Sequence, residues 1–316
     1  MIVALAGGVG GAKLAEGLAA LMGSDVTVIV NTADDFEHLG LPISPDLDTV
    51  MYTLGGIANP ETGWGVAGET WSFLEQLARL GGPSWFRLGD RDLATHVLRA
   101  AALCAGTSLT GITAELCRRL GITAQVLPMS DDGVHTIVHS AEGDLPFQEY
   151  FVGRKCEVPV TGFAFDGIDK ARPTAEVENA LRARDLEAII VCPSNPYVSI
   201  DPIISLPGVR KLIADAGVPV IAVSPIIAGA AVKGPAAKMM RELGLEPSPA
   251  TVAAHYRGLV TGFVMDTADA RLAPTVEALG MTVRLTGILM KDGSDRRRLA
   301  GESLDFARSI GRPSRS

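Results

Sequence analysis

The feature that most constrains the fold is the alternation of short apolar runs with amphipathic segments. Runs such as Ile2–Ala6, Val26–Val30 and Ala188–Cys192 are rich in β-branched residues and too short for helices. Segments with helical periodicity separate the runs along the chain. Repeated β–α units build a mostly parallel sheet with helices on both faces. The sequence therefore predicts a doubly wound, Rossmann-like α/β fold.

Residues 124–170 depart from this pattern, because their apolar runs are shorter and alternate more strictly. The predicted strands there are Ala124–Leu127, Val134–His139, Phe147–Val152 and Val158–Phe165. We therefore expect a single α/β domain over residues 1–316 with a strand-rich insertion at about 124–170. The last five residues, Arg312–Ser316, are expected to form a frayed tail.

Charge and cysteine content exclude several classes of protein. The chain has 28 Lys and Arg against 36 Asp and Glu, a net charge of −8, and no basic run, which argues against nucleic-acid or anionic-membrane partners. Its four cysteines form no C-x-x-C pair. The apolar N-terminal run lacks a basic region and is interrupted by glycines, so it does not fit a signal peptide or a membrane span. We expect a cytoplasmic protein.

A glycine-rich turn, GGVGGAK, follows the first predicted strand. Glycines let the backbone approach a phosphate, and the following helix offers free N–H groups and a positive dipole end. A tight turn with a solvent-exposed lysine is the alternative interpretation. The spacing matches neither G-x-G-x-x-G nor a P-loop, which disfavours an NAD-dependent oxidoreductase. The predicted phosphate contacts are Gly7, Gly8, Gly10 and Lys13.

Four carboxylates follow the second strand, in the tracts VNTADD and ISPDLD. One or two of them could simply cap a helix. A pair of carboxylates facing a diphosphate has a physical role if Mg²⁺ lies between them. The four residues are Asp34, Asp35, Asp46 and Asp48.

Three further polar tracts follow predicted strands or precede helices. Ser194 and Asn195 follow one strand, and Ser224 and Ile226 follow another, in rigid proline-containing turns that suit recognition of a base or ribose. Ordinary loops are the alternative. Arg87 begins the dense ionic tract RLGDRD, which either offers a planar fork to a phosphate or polar ring edge or forms surface ion pairs.

Together these tracts resemble the 2-phospho-L-lactate transferase family of deazaflavin coenzyme biosynthesis, in order and over nearly the whole chain. The acidic ISPDLDT tract and LGDRD are the specific pieces, whereas the glycine turn alone is a weak signal. Further matching pieces are VNTADD, LPMSDD, PSNPYVSIDPIISLPG and AVSPIIAG.

The resemblance implies transfer of a phospho-three-carbon-acid group from a GDP-linked donor to the terminal hydroxyl of the deazaflavin Fo. GMP leaves, Mg²⁺ assists, and a precursor of coenzyme F420 results. The acid could be 2-phospholactate, phosphoenolpyruvate or phosphoglycerate. A homodimer is expected.

By the same resemblance, Asp48 and Arg87 match positions that hold the deazaflavin, and the glycine turn lines the guanylyl phosphates with Ser194, Asn195, Ser224 and Ile226 nearby. Asp34 and Asp48 are the metal candidates, and Asp46 and Asp48 the catalytic candidates, with Asp46 as a possible base. Replacing Asp48 by alanine is expected to abolish transfer and to leave thermal stability nearly unchanged.

A non-catalytic, nucleotide-sugar-binding regulatory protein is the alternative function. That related α/β group would share the glycine turn but should lack the combined ISPDLD and LGDRD tracts. Their joint presence favours the enzyme.

Overall fold

The computed structural model describes residues 1–311, and the predicted tail Arg312–Ser316 lies outside them. Fourteen strands occur within the described residues. Numbered along the chain, they are β1 (Ile2–Ala6), β2 (Val26–Val30), β3 (Phe36–His38), β4 (Leu41–Ile43), β5 (Gln125–Pro128), β6 (His135–Ser140), β7 (Gly143–Pro146), β8 (Val160–Asp166), β9 (Ala188–Val191), β10 (Val220–Val223), β11 (Ile226–Ile227), β12 (Ala230–Ala231), β13 (Gly262–Met265) and β14 (Thr282–Leu285).

Seven of these strands form one central parallel sheet in the order β14-β13-β10-β9-β1-β2-β5. The inner strands are buried along their whole length. Near-continuous apolar strands are typical of a parallel sheet covered on both faces. The predicted doubly wound α/β fold is confirmed.

The strand order reverses between β1 and β9. From β1 the chain moves outward through β2 and β5, then returns to the other side of β1 at β9 and continues through β10, β13 and β14. Connections that leave neighbouring strands in opposite directions open a crevice at their carboxyl ends, where ligands bind in such sheets. A ligand site is therefore expected at the carboxyl ends of β1 and β9.

Helices cover both faces of the sheet, and they too are numbered along the chain. They are α1 (Gly8–Met22), α2 (Pro45–Leu54), α3 (Ser72–Arg79), α4 (Asp90–Cys104), α5 (Leu109–Arg119), α6 (Ala175–Leu181), α7 (Asp201–Ser205), α8 (Val209–Asp215), α9 (Ala236–Glu242), α10 (Pro249–His255), α11 (Ala273–Glu277) and α12 (Gly293–Ile310).

Helices α1, α2 and α12 pack together on one face of the sheet, where Leu14, Leu47 and Leu304 belong to one apolar core. A Cβ atom at Gly17 would lie 2.2 Å from the carbonyl oxygen of Arg296, so glycine allows α1 to approach α12 closely. Leu181, Ile213 and other residues of α6–α11 form a second core on the opposite face.

A small antiparallel sheet, in the order β7-β6-β8, lies within the predicted strand-rich segment. The predicted segment begins too early, because its first strand, now β5, pairs with β2 in the central sheet. The predicted strand Phe147–Val152 is wrong, because the chain there forms a π-helical turn over Glu149–Gly153 and β7 precedes it. Phe147 and Tyr150 are both buried, and Phe147 stacks on Phe151 with ring centroids 5.4 Å apart. Contacts at three and four residues' spacing require a helical backbone.

The hairpin β3–β4 was not predicted from the sequence. Its turn residues, Leu39 and Gly40, both have positive φ values, 57° and 73°, as a type I′ turn requires. Leucine is rare in that conformation, so the sequence carries no hairpin signal there. Among residues 1–311, no helix has both the length and the apolar character that crossing a membrane requires.

Candidate active site

The turn between β1 and α1 is held by side chains from two distant parts of the chain. The Gly7 N–H donates to Ser194 Oγ at 3.1 Å, and the Ser194 hydroxyl donates to the Gly7 carbonyl at 2.8 Å. Gly8 has a φ of 61°, and its N–H donates to Asp46 Oδ1 at 2.7 Å. The turn thus joins the exits of β1 and β9 to the start of α2, and it places the first turn of a 15-residue helix at this point.

Gly10 contacts the exit of β9 rather than open space. A Cβ atom there would lie 2.3 Å from the Pro193 carbonyl oxygen, well inside the distance that a carbon atom tolerates. The residue that the sequence assigned to phosphate contact is therefore required for packing α1 against β9.

Gly10→Ala is expected to lower the free energy of unfolding by about 1–3 kcal/mol, because the added methyl group overlaps a backbone carbonyl. The measurement is equilibrium unfolding in urea. Gly301→Ala is the matched control: its Cβ would meet only Leu21 Cδ1, at 3.7 Å, and alanine is the better helix former. Equal stability of Gly10→Ala and the wild type would contradict the packing role.

Asp46 connects the glycine turn to the exit of β2. Pro45 at the first position of α2 favours the start of that helix, and this places Asp46 in its first turn. One carboxylate oxygen accepts from Gly8, and the other accepts from Asn31 Nδ2 at 3.0 Å. Burial raises the pKa of Asp46 to about 6 despite these two hydrogen bonds. A carboxylate with such a pKa can accept a proton near neutral pH.

Asp34 is the second buried carboxylate at this edge. Only 5% of the residue is exposed, and its Oδ1 has no hydrogen-bond partner among residues 1–311. Burial, followed by the charge of Asp46, raises the pKa of Asp34 well above its usual range. A buried carboxylate that has an unpartnered oxygen and lies within range of a second carboxylate charge fits a divalent cation that takes a few protein oxygens and completes its shell with phosphate and water. Within the described residues no cluster of three or more His, Cys, Asp or Glu side chains is present, so at most two such side chains would hold an ion here, and Asp34 Oδ1 is the oxygen without a hydrogen-bond partner.

Asp48 does not fit the metal-ligand role that the sequence suggested. Both of its carboxylate oxygens bind the guanidinium of Arg99: Nη1 donates to Oδ2 at 3.1 Å and Nη2 donates to Oδ1. His96 Nδ1 lies 3.7 Å from Oδ2. Arg99 and His96 are each 1% exposed, so the whole group is buried. Asp48 is thus neutralised by an arginine, whereas Asp34, Asp35 and Asp46 form no ion pair within residues 1–311. Asp35 Oδ2 accepts from the Ser44 hydroxyl at 2.6 Å, and its Oδ1 has no hydrogen-bond partner among those residues.

The tract RLGDRD is largely a structural connection. Asp90 accepts hydrogen bonds from the backbone N–H groups of Ser72 and Phe73 at 3.1 and 3.0 Å, and this fixes the start of α3. Arg87 is exposed, and its guanidinium lies over the Trp71 ring, 4.0 Å from the centroid. Arg87 therefore remains accessible to a ligand, with the Trp71 ring beside its guanidinium.

Of the polar residues at the exits of β9 and β10, Ser194 bonds to the glycine turn, whereas Asn195 and Ser224 accept hydrogen bonds within their own turns. Asn195 Oδ1 accepts from the Tyr197 N–H at 3.0 Å. The Ser224 hydroxyl accepts from the N–H of Ile226 at 3.1 Å and donates to its carbonyl at 2.9 Å. Since β9 and β10 are neighbours in the sheet, all four predicted residues lie at the same carboxyl edge as the glycine turn, where their side chains shape the backbone.

Lys13 lies one turn into α1, and its Nζ donates to the Met290 carbonyl at 3.2 Å. Burial, and then the charges of Arg296 and Lys233, lower the pKa of Lys13. Cations therefore collect beside the glycine turn.

Asn31 and Arg99 were not among the site residues predicted from the sequence. Asn31 lies inside the VNTADD tract, and its amide also donates to the Val198 carbonyl at 3.2 Å. Arg99 follows His96 by three residues and Asp92 by seven, so the three share one face of α4. The spacing of these three residues along the sequence was the signal that could have identified Arg99.

The fold and site together define a doubly wound α/β protein whose switch point joins a helix N-terminus to buried carboxylates, a layout that suits a nucleotide-dependent enzyme. A family model described as 2-phospho-L-lactate transferase CofD matches residues 2–280. The chain belongs to the 2-phospho-L-lactate transferase family, and it is a transferase of coenzyme F420 biosynthesis.

Curated relatives match over nearly their full length. A phosphoenolpyruvate transferase from Streptomyces griseus is 44% identical over 316 residues, covering 98% of this chain and 99% of the relative. One from Thermobifida fusca is 42% identical, covering 97% of each chain, and one from Mycobacterium avium is 37% identical, covering 97% and 98%. A crystal structure of a UPF0052 family protein from Bacillus halodurans shares the fold, with a TM-score of 0.63 and 17% identity over 96% of this chain and 99% of that chain.

Proposed function

We propose that this protein transfers a phosphoenolpyruvyl or 2-phospholactyl group from a GDP-linked donor to the terminal hydroxyl of the deazaflavin Fo and releases GMP. The observation that carries the proposal is the contact of the Gly8 N–H with Asp46 Oδ1 at 2.7 Å, at the carboxyl edge between β1 and β9. There a helix N-terminus that suits phosphates adjoins a carboxylate that suits a base. The names of the curated relatives favour phosphoenolpyruvate as the acid.

The donor's diphosphate fits the glycine turn and the cations beside it. In a protein with a net charge of −8, a diphosphate must find local positive charge. The N-terminus of α1 and Lys13 supply it at one place. Asn195, Ser224 and Ile226 shape the neighbouring turns, and their backbone would border the nucleoside.

The acceptor fits the side formed by α2 and the residues before α4. Asp48 and Arg87 belong to these segments, and Arg87 over Trp71 offers a cation and an aromatic face to a tricyclic ring. Arg99 holds Asp48 as an oriented carboxylate that still has lone pairs for a hydroxyl or ring N–H.

In the transfer step, the hydroxyl oxygen of Fo forms a bond to the phosphorus that bears the acid, and the bond from that phosphorus to the GMP oxygen breaks. The Fo hydroxyl proton passes to the Asp46 carboxylate, and GMP departs with the bonding electron pair. The residues around the glycine turn hold the donor in line with the acceptor, which supplies much of the rate in phosphoryl chemistry.

Mg²⁺ fits this site through Asp34, because its Oδ1 has no hydrogen-bond partner within residues 1–311 and lies within range of a second carboxylate charge, that of Asp46. When bound, such an ion neutralises charge on the diphosphate.

Without metal, we expect the free energy of unfolding to decrease as the pH rises from 5 to 7.5. The pKa of Asp46 is 3.8 as a free group and about 6 in the folded chain. The contribution of Asp46 to the free energy of unfolding is therefore fully present below pH 3.8 and is lost as the pH rises through about 6. That contribution is about 3 kcal/mol below pH 3.8 and about 1.4 kcal/mol at pH 5, so the expected decrease between pH 5 and 7.5 is about 1.4 kcal/mol. Added Mg²⁺ should therefore raise the thermal midpoint more at pH 7.5 than at pH 5.

Thermal scans at both pH values test this in EDTA-treated buffer, without Mg²⁺ and with Mg²⁺ at roughly 5–10 mM, a concentration that suits a weakly held ion. Asp34→Asn should remove the metal-dependent increase. An equal effect of Mg²⁺ at the two pH values, or an increase that persists in Asp34→Asn, would contradict the assignment.

Mass spectrometry of the product tests the function as a whole. Fo is supplied with each GDP-linked acid in turn, and the phosphoenolpyruvyl donor is expected to give the adduct together with stoichiometric GMP. Perturbation of Fo fluorescence by the protein is the accompanying binding test. Failure of every donor, together with binding of a nucleotide-sugar and unperturbed Fo fluorescence, would instead favour the regulatory alternative.

A further inference from the structure

Two lysines flank the first turn of α1 without a carboxylate partner. Lys13 Nζ donates to the Met290 carbonyl at 3.2 Å, and Lys233 Nζ donates to the Thr62 carbonyl. Among residues 1–311, these backbone oxygens are the partners that the two ammonium groups have. Neither ammonium group therefore has a carboxylate beside it within these residues.

Arg296, the other cation whose charge acts on Lys13, is already paired, since it binds Glu16 at 2.8 Å. Burial lowers the pKa of Lys233 as it does that of Lys13, which also lies within range of the Lys233 charge. Mutual repulsion between two unpaired cations is relieved when an anion binds between them.

Lys233 and the glycine turn both lie next to the same surface loop. The loop Asn59–Gly65 is closed by a bond from the Asn59 N–H to the Gly65 carbonyl at 3.0 Å. A Cβ atom at Gly63 would lie 2.7 Å from Val9 Cγ1 and 2.9 Å from Lys233 Nζ. Val9 is the residue between the glycines of the turn, so Lys233, this loop and the start of α1 meet at one point.

The segment that carries Lys233 has glycines at both ends. Gly229 and Gly234 each have a φ of 77°, a conformation that other residues rarely adopt. Between them the chain leaves β12 and returns toward α9, with Lys233 exposed. The side chain can therefore change partners without disturbing the main sheet.

We propose that Lys233 is a ligand of the donor's diphosphate and exchanges the Thr62 carbonyl for a phosphate oxygen when the donor binds. Lys13 and Lys233 then hold the diphosphate from two sides of the α1 N-terminus, and the loops 59–65 and 229–234 cover it. This inference rests on the proposed function, since it names how the same site holds its nucleotide. It assigns Lys233 to recognition of a second phosphate, so the residue should distinguish a nucleoside diphosphate from a monophosphate.

Calorimetric titration of the full chain with GDP, GMP and inorganic pyrophosphate tests the proposal. Lys233→Met keeps the length of the side chain and removes its charge, and it should weaken GDP binding roughly 10- to 100-fold, as expected for the loss of one charge-assisted contact. GMP binding should change less than threefold. Lys211→Met is the matched control, because Lys211 is an exposed lysine on α8 that is paired with Asp215. Lys233→Arg should recover part of the GDP affinity.

The outcomes separate the two proposals. Tight GDP binding by the wild type with an unchanged dissociation constant in Lys233→Met overturns the role of Lys233 and leaves the transferase proposal standing. A wild type that binds neither GDP nor pyrophosphate overturns both. Steady-state kinetics give a second readout: Lys233→Met should raise the KM for the donor and leave the KM for Fo unchanged, and a change confined to the KM for Fo would also overturn the assignment.

Discussion

Asp46→Asn is expected to reduce the turnover number by roughly 10²- to 10⁴-fold, the range over which general bases act. An amide cannot take the Fo hydroxyl proton. Both Asp46 oxygens face donors, the Gly8 N–H and Asn31 Nδ2, so the amide N–H₂ group loses one of these two hydrogen bonds in either orientation. The measurement is product formation at saturating donor and Fo, followed by mass spectrometry.

The control for Asp46→Asn is Asp25→Asn, which removes an exposed carboxylate at the amino end of β2, the opposite edge of the sheet. Its turnover should stay within about twofold of the wild type, as for surface substitutions away from special features. Wild-type turnover in Asp46→Asn would remove Asp46 from the mechanism.

The pH dependence provides an independent check on the same residue. Since burial raises the pKa of Asp46 to about 6, the carboxylate is half protonated at that pH and loses its capacity as a base as the pH falls further. Single-turnover rates of the wild type should therefore rise between pH 5 and 7 and level off above. The residual rate of Asp46→Asn should lack this rise, and a wild-type profile that is flat over the interval would exclude Asp46 as the base.

The architecture could be predicted from the sequence because parallel strands are simple to identify. Runs such as Ile2–Ala6 and Val26–Val30 are apolar along their whole length, as strands buried on both faces must be. The turn of the hairpin β3–β4 could not be found, because Leu39 adopts a positive φ that its residue type does not signal. The π-helical turn at Glu149–Gly153 was missed because Phe147–Val152 is a short segment rich in aromatic residues, as many strands are, although the spacing of three between Phe147 and Tyr150 is helical.

Proximity along the chain located the candidate site, but it could not assign partners to its carboxylates. Asp46 and Asp48 are two residues apart on α2 and therefore point in different directions. One faces Gly8 and Asn31, and the other faces Arg99, which lies 51 residues further along the chain. Only the packing of α4 against the β4–α2 segment shows that Asp48 is neutralised while Asp46 is not.

This packing reverses the expectation that Asp48 can be replaced without loss of stability. Arg99→Met is expected to lower the free energy of unfolding by about 3–5 kcal/mol, because it leaves the buried Asp48 carboxylate without its cation. Asp48→Ala and Asp48→Asn should be destabilised similarly, since each leaves the guanidinium of Arg99 without its anion. Equilibrium unfolding in urea gives both values, and Arg87→Met, which removes an exposed arginine, should change the stability by less than about 1 kcal/mol.

The double variant Asp48→Asn, Arg99→Met separates a buried ion pair from simple loss of packing. Removing both charges leaves no uncompensated ion in the interior, so the double variant is expected to be more stable than Arg99→Met alone by about 1–3 kcal/mol. Residues that act independently would instead give the sum of the two single losses. An additive result would show that the Asp48 carboxylate is solvated in the absence of Arg99, and the two-oxygen contact between them would then not be what fixes its position.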